Sequence, residues 1–471
     1  MAKSRLHFQC SGYWMTFNHP SHEEEPHGSR RQSRRLFNGC SVWLRALLLA
    51  IAVLWGVTNT HSAHAQAPAC AWEAAPSEQL GQPFRAVQLS GIFVLGLDAD
   101  GKHDRVVDML KDFAFEIDCY GHVPNGNRSY YLSRSQPPFF SSMVDLIAKR
   151  DGDGAYLTYL PELRREYEYW MDGAVIVAPG QGYRHVVRLL DGTILNRFWD
   201  DRAEPRDESY REDVETARSV HRDPGEVFRS LRAETETGWD FSSRWLGDGH
   251  SLNTNRTVQL LPVDLNCLLG HLEETLAKAY RLKGDEDRSS RFADLAAHRA
   301  ASIRRLMWNE TKQIYVDYDL GRNQPAEAVT AAALFPLYLN IATVTQADKE
   351  ATTVRRLLLT PAGIATTLEV SGRQWDRPNG WAPMQWVAVV GLRSYDKPRL
   401  AEAIAVRWSC QNLEIYRKYN LSSGSAGGGG EYALQIGFGW TNGVLRALGS
   451  LYLNLSRLGP ELCAASSADR Q

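Results

Sequence analysis

The sequence predicts an all-α chain of paired helices, arranged as an α-solenoid or as a closed barrel of helical hairpins. Three observations carry this expectation. From about residue 85 onward, apolar residues recur at i, i+3, i+4 and i+7 over long windows. Polar turns rich in Gly, Pro, Asn and Asp separate those windows. Strand-like alternation is nearly confined to "HVVRLLDGTIL" (185–195), where "DG" reads as a hairpin turn.

The elements follow in order. "DRVVDMLKDFAFEID" (104–118) places Val106, Met109, Leu110 and Phe113 on one helical face. Helices are expected near 141–149, 161–171 and 225–235. "PVDLNCLLGHLEETLAKAYRLKGD" (262–285) opens with Pro262 and closes before Gly284. Within it Leu265, Leu268, Leu269, Leu272 and Leu276 form a continuous stripe. Further helices are expected near 287–307, 327–343, 382–393, 398–416 and 440–457. No linker divides this region and no strict repeat is visible.

The N-terminus reads differently. "RRQSRR" (30–35) is followed by the apolar run "VWLRALLLAIAVLWGV" (42–57) and by "AHA" at 63–65. A basic start, an apolar middle and a small-residue end describe an export signal. "SRRLF" (33–37) has the look of a twin-arginine motif. The run is short and interrupted by Arg45, which argues against a membrane span. The expected division is therefore an export signal with upstream leader (1–65), a poorly ordered segment (66–85), a helical domain (86–460) and a tail (461–471). A periplasmic or secreted location follows, with no membrane attachment once the signal is removed.

The 471 residues are 44% hydrophobic and 23% charged, which is ordinary globular composition. No basic tract suggests nucleic-acid binding. Five cysteines lie beyond the signal: Cys70, Cys119, Cys267, Cys410 and Cys463. They show no CxxC or Cys/His ligand spacing, so metal binding is not expected; one disulfide is compatible with this count, its pairing left open. A monomer is expected.

The chemistry concentrates in loops between helices. In "ETGWDFSSRW" (236–245), Asp240 sits between Trp239 and Phe241. An acid flanked by aromatic faces is partly desolvated and can hold a proton near neutral pH. Aromatic faces also stack on sugar rings. Together they suggest glycoside hydrolysis, which needs a second carboxylate. Four other loops share this polar and aromatic character: "HVPNGNRSYYLSRSQPPFF" (122–140), "NRFWDDRAEPRDESY" (196–210), "QWDRPNGWAP" (374–383) and "GGGGEYALQIGFGWTNGV" (427–444). They describe one cleft, with Arg, Asn and Gln for hydroxyls and with Trp375, Trp381 and Trp440 as candidate linings.

These blocks closely resemble the trehalase family of inverting α,α-trehalose hydrolases, over about residues 93–450. The resemblance implies an (α/α)6 barrel and trehalose as the sugar substrate, with no cofactor. It implies Asp240 as general acid. It implies Asn125, Arg134, Ser135, Gln136, Arg206, Asp207, Glu208, Gly238 and Glu431 as substrate contacts. Asp207 replaces the middle residue of a family "RPE" triplet.

Two departures stand out. A family block "PGGRF…YYWDSY" is replaced by "EQLGQPFRAVQLSGIF" (78–93), so the first barrel helices are expected to be incomplete. The family base lies in "VEKYD"; here "LEIYRKYNLSSGSAGGGG" (413–430) sets Arg417 at that glutamate, leaving Glu414 and Glu431 as the nearby carboxylates. Arginine stays protonated and cannot act as a base. Two readings follow: inverting hydrolysis with a substitute base, or trehalose binding without turnover.

Overall fold

A computed structural model describes residues 90–126, 128–412, 419–420 and 439–452. All of them lie in one compact unit, Pro68–Gln471. The described residues are mostly helical, as expected for an all-α barrel. The incompleteness expected ahead of residue 90 lies outside the described residues.

The first helices are α1 (Ser90–Ala99), α2 (His103–Tyr120), α3 (Phe140–Asp151), α4 (Gly154–Thr158) and α5 (Leu160–Trp170). α2 buries Val106, Met109, Leu110 and Ile117, close to the predicted face, and stops at Gly121 in the left-handed conformation. A three-stranded antiparallel sheet follows: β1 (Gln181–Tyr183), β2 (Val186–Arg188) and β3 (Ile194–Asn196). Val186 pairs with Asn196 and Val187 with Leu195, with Gly192 at φ +86 in the intervening turn. The expected hairpin is present, and β1 extends it.

Next come α6 (Tyr210–Arg218), α7 (Pro224–Glu236), α8 (Val263–Lys283) and α9 (Glu286–Leu306). α8 carries the Leu265–Leu276 stripe into the core, and α9 packs back along it as a hairpin. The remaining helices are α10 (Phe335–Tyr338), α11 (Val344–Leu357), α12 (Ala382–Ser394), α13 (Pro398–Gln411) and α14 (Gly439–Leu451). α12 and α13 form a second hairpin.

The last described helix packs on the first, joining the two ends of the described fold. The crossing is tight because it is made at two glycines. A Cβ on Gly96 would lie 2.3 Å from the Cα of Gly443. Only a residue without a side chain lets the backbones approach this closely.

The helix expected over 327–343 is not continuous. Ala331–Leu334 form a 3-10 turn and α10 is a single turn beyond it. The reason is tertiary. Thr330 bridges to Thr367 and Ala331 N donates to Thr366 O, at 2.8 Å, so this backbone is engaged across the fold. Three helices were not anticipated, the short α4 together with α6 and α11. α11 begins with a capping box in which Thr343 and Gln346 satisfy each other's backbone donors. The ends expected for α13 and α14, 413–416 and 453–457, lie outside the described residues.

Cys119 and Cys410 are disulfide-bonded, whereas Cys267 is a buried free thiol. No helix among the described residues is long and apolar enough to cross a membrane.

One buried acid makes stability pH-dependent. Glu166 on α5 is 1% exposed, and burial pushes its carboxyl from the ordinary 4.5 up to about 8. The native state therefore holds a proton that the unfolded chain releases at lower pH. This contribution is complete below about pH 4.5 and is lost as pH rises toward 8. Glu166→Gln cannot titrate. Denaturant melts at pH 5 and pH 8 should show it gaining on the wild type by more than about 1 kcal/mol at the higher pH.

Candidate active site

The acid is presented by the C-terminus of α7. Asp223 caps the helix start, its carboxylate accepting from Glu226 N at 3.0 Å, and Pro224 occupies the first turn. The helix stops at Gly238, whose φ of +77 is the left-handed turn that suits glycine. The chain then runs Trp239, Asp240, Phe241 into the interior. Asp240 is 3% exposed. Its backbone carbonyl accepts from the Gln374 amide, and Phe241 O accepts from Trp375 N at 3.2 Å. "GWDFSSRW" and "QWDRPNGWAP" are thus fastened together.

Behind the acid stands a column of indoles. Trp239 stacks on Trp375 at 5.2 Å, and Trp375 stacks on Trp381 at 4.3 Å, with Trp440 set across both. Trp375, Trp381 and Trp440 are fully buried. They pack against one another directly behind the acid.

The arginines converge from other elements. Arg206 grips Asp213 through its backbone and guanidinium, at 2.7–3.2 Å, and lies 4.8 Å over the Phe241 ring beside the acid. Arg134 is fully buried. Its Nε donates to Asn125 Oδ1 at 3.1 Å, its Nη2 pairs with Glu208, and its Nη1 lies 3.7 Å from Asp200. Asp200 is held in turn by Arg232 Nε at 2.7 Å and Ser133 Oγ at 3.1 Å.

Asn125, Ser135 and Gln136 belong to one bridge across the 122–140 loop. Asn125 N donates to Arg134 O at 2.9 Å, and Gln136 Nε2 donates to Asn125 O at 2.8 Å. Asn125 Nδ2 also reaches Thr235 O on α7, at 3.0 Å. Ser135 N donates to Glu236 Oε1 at 2.8 Å, and the Ser135 hydroxyl donates to Gln136 O at 2.7 Å. The Gln136 Oε1 atom is buried without a hydrogen-bond partner.

Not every expected contact joins this group. Asp207 is exposed and pairs with Arg202 at 3.0 Å, while its neighbour Glu208 turns to Arg134. Glu414 and Glu431 lie outside the described residues.

Several charged residues of the site were not singled out from sequence. Glu234 is fully buried near the acid, its Oε1 accepting from Ser242 N at 2.9 Å. Burial, reinforced by repulsion from Asp240, pushes its carboxyl well above the usual range. Glu236 accepts from Ser135 N, His185 and Trp199 N. Arg244 forks to Asp264 and Asp317, with four contacts of 2.7–2.8 Å, and stacks over Trp239 at 4.7 Å. That carboxylate pair holds its guanidinium firmly protonated despite burial. Glu236 and Arg244 lay inside a segment already marked as polar and aromatic, and Glu234 in the helix just ahead of it; burial was the missing signal. A separate cavity of about 710 Å³ touches the acid loop at Ser243 and Arg244 but is not lined by Asp240, Arg134 or Arg206.

A helical barrel whose loops gather a buried acid, two buried arginines and a bed of indoles defines a glycoside hydrolase of the all-α barrel class. The chain belongs to the trehalase family, whose profile matches residues 90–452. It is 51% identical to the periplasmic trehalase of Pseudomonas aeruginosa over 383 residues, covering 79% of this chain and 70% of that one. It is 50% identical to the periplasmic trehalase of Escherichia coli O8, covering 77% and 66% respectively. The chain thus spans about two thirds of the length of these curated relatives. Among solved structures it resembles the neutral trehalase of Saccharomyces cerevisiae, with a TM-score of 0.63 and 25% identity, covering 80% of this chain and 72% of that one.

Proposed function

We propose that the chain hydrolyses α,α-trehalose to two glucose molecules by inversion, with Asp240 as general acid. The observation that supports this most is the burial of Asp240 beside Arg206 and Glu234, against the Trp239 ring column. A buried carboxyl among aromatic rings can serve as the proton donor to the bridging oxygen as the glycosidic bond breaks. Arg134 and Arg206 orient hydroxyls through fork-shaped donors, with Asn125, Gln136 and Glu208 completing the set. Water is activated from the opposite sugar face by a carboxylate roughly 6.5–9.5 Å from the acid. We assign that role to the segment 413–438, where Glu414 and Glu431 are the candidates. The working form is residues 66–471, released after export as a periplasmic or secreted monomer. The periplasmic naming of both curated relatives and the disulfide bonding of Cys119 and Cys410 support that location.

The test is glucose release from a panel of glucosyl disaccharides. Trehalose should be cleaved at least about 10²-fold faster than maltose, because a site built for two glucosyl hydroxyl sets leaves buried polar groups unpaired with another geometry. Equal rates across the panel would refute trehalose as the substrate.

Arg134→Lys gives a second check. A lysine cannot serve Asn125, Glu208 and a sugar hydroxyl at once, and each charge-assisted hydrogen bond lost costs about 1.5–3 kcal/mol. kcat/KM for trehalose should fall by about 10²-fold or more in steady-state assays, whereas a surface arginine such as Arg211 should be replaceable without effect.

A further inference from the structure

We propose that Asp376 is a positioning residue for the acid, fixing Asp240 through the Ser242–Ser243 segment; this rests on the hydrolase reading above. Asp376 lies in "QWDRPNGWAP", is fully buried, and has no cation among its described partners. Its Oδ1 accepts from Ser242 Oγ at 2.9 Å, Ser243 Oγ at 2.8 Å and Thr367 Oγ1 at 2.8 Å. Its Oδ2 accepts from Ser243 N at 2.7 Å and from the Ser371 hydroxyl.

A carboxylate offers about four lone-pair sites. Five neutral donors saturate it, so it has no capacity left for a sugar hydroxyl and cannot act on substrate directly. What it does hold is the chain two and three residues past the acid. Both hydroxyls and the Ser243 N–H go to Asp376, and the Ser242 N–H goes to Glu234. With Gln374 on Asp240 O and Trp375 on Phe241 O, every residue from Asp240 to Ser243 has a hydrogen-bonded anchor. The anchors come from α7 and from the loop ahead of α12, two elements far apart in sequence. An error of about 1 Å at a reacting group costs on the order of 10²-fold in rate. A saturated carboxylate in this place sets that tolerance.

Asp376→Asn is isosteric but turns amide hydrogens toward two of the donors. Its kinetics should be measured on trehalose and on α-glucosyl fluoride, whose leaving group needs little help from a proton. The expected result is a kcat on trehalose lowered by about 10²-fold, with KM within about threefold and fluoride turnover within about fivefold. Ser243→Ala, which removes one donor and is the milder change, should show the same split at about tenfold. If Asp376→Asn fails to fold, Ser243→Ala decides alone. Parallel loss on both substrates, a rise in KM in place of the fall in kcat, or no loss would overturn the positioning role. A wild-type chain that cleaves neither substrate would instead remove the hydrolase reading, and the positioning role with it.

Discussion

Asp240→Asn should lower kcat for trehalose by about 10³-fold while trehalose still binds. Asparagine fills the same volume between Trp239 and Phe241, so the stacked indoles and the Arg206–Phe241 contact are retained. What is lost is the proton donor. General acid catalysis by a positioned side chain contributes typically about 10²–10⁴-fold, and an inverting glycosidase has no covalent intermediate to fall back on. Calorimetry should give a Kd for trehalose within a few-fold of the wild-type KM. A loss below about tenfold would place the acid elsewhere.

The second large effect is on stability. Arg244 is buried between two carboxylates, Asp264 at the start of α8 and Asp317, while its guanidinium stacks 4.7 Å over Trp239 and 4.3 Å over Trp245. Asp317 also accepts from Val263 N at 2.9 Å, so the same cluster fixes the first turn of α8. Arg244→Met keeps most of the stem's packing but strands two buried negative charges. Breaking a buried pair from one side costs about 3–5 kcal/mol. Urea unfolding should show the unfolding free energy falling by that amount, through a lower midpoint at unchanged m. A change under about 1 kcal/mol would mean that Asp264 and Asp317 find other partners or protons.

Much of this was legible in the sequence where one segment could report on itself. α8 was readable because five leucines fall on one stripe between Pro262 and Gly284. The Asp240 loop was readable because its aromatic neighbours are adjacent in the chain. The failures have a common physical cause. "AEAVTAAALFPLYLNIA" is apolar on all sides, so periodicity cannot separate a long helix from a buried extended segment, and the bridge of Thr330 to Thr367 decided it. α6 is short and strongly polar, and the stripe of α11 rests on the small residues Ala347 and Ala351 with Val354, although Thr343 and Gln346 carried a capping-box signal at its start. Asp207 was drawn into the site by its place in a triplet. The structure gives it to Arg202, since successive residues of the turn point in different directions. Asp376, Glu234 and Arg244 act only through residues distant in sequence: Asp376 contacts Ser242 across 134 positions. Nothing local marks such a carboxylate as an anchor.

The central claim is inverting hydrolysis of trehalose, and the anomers of the first product test it most directly. Proton NMR of residues 66–471 with trehalose resolves α- and β-glucose before they equilibrate. One α- and one β-glucose per trehalose at early times is the predicted result, since only one of the two linked anomeric centres is attacked. Two α-glucose per trehalose would mean retention and a covalent intermediate. No glucose at all from the folded chain would mean that the substitute carboxylate in 413–438 does not act as a base. Either result would contradict the account.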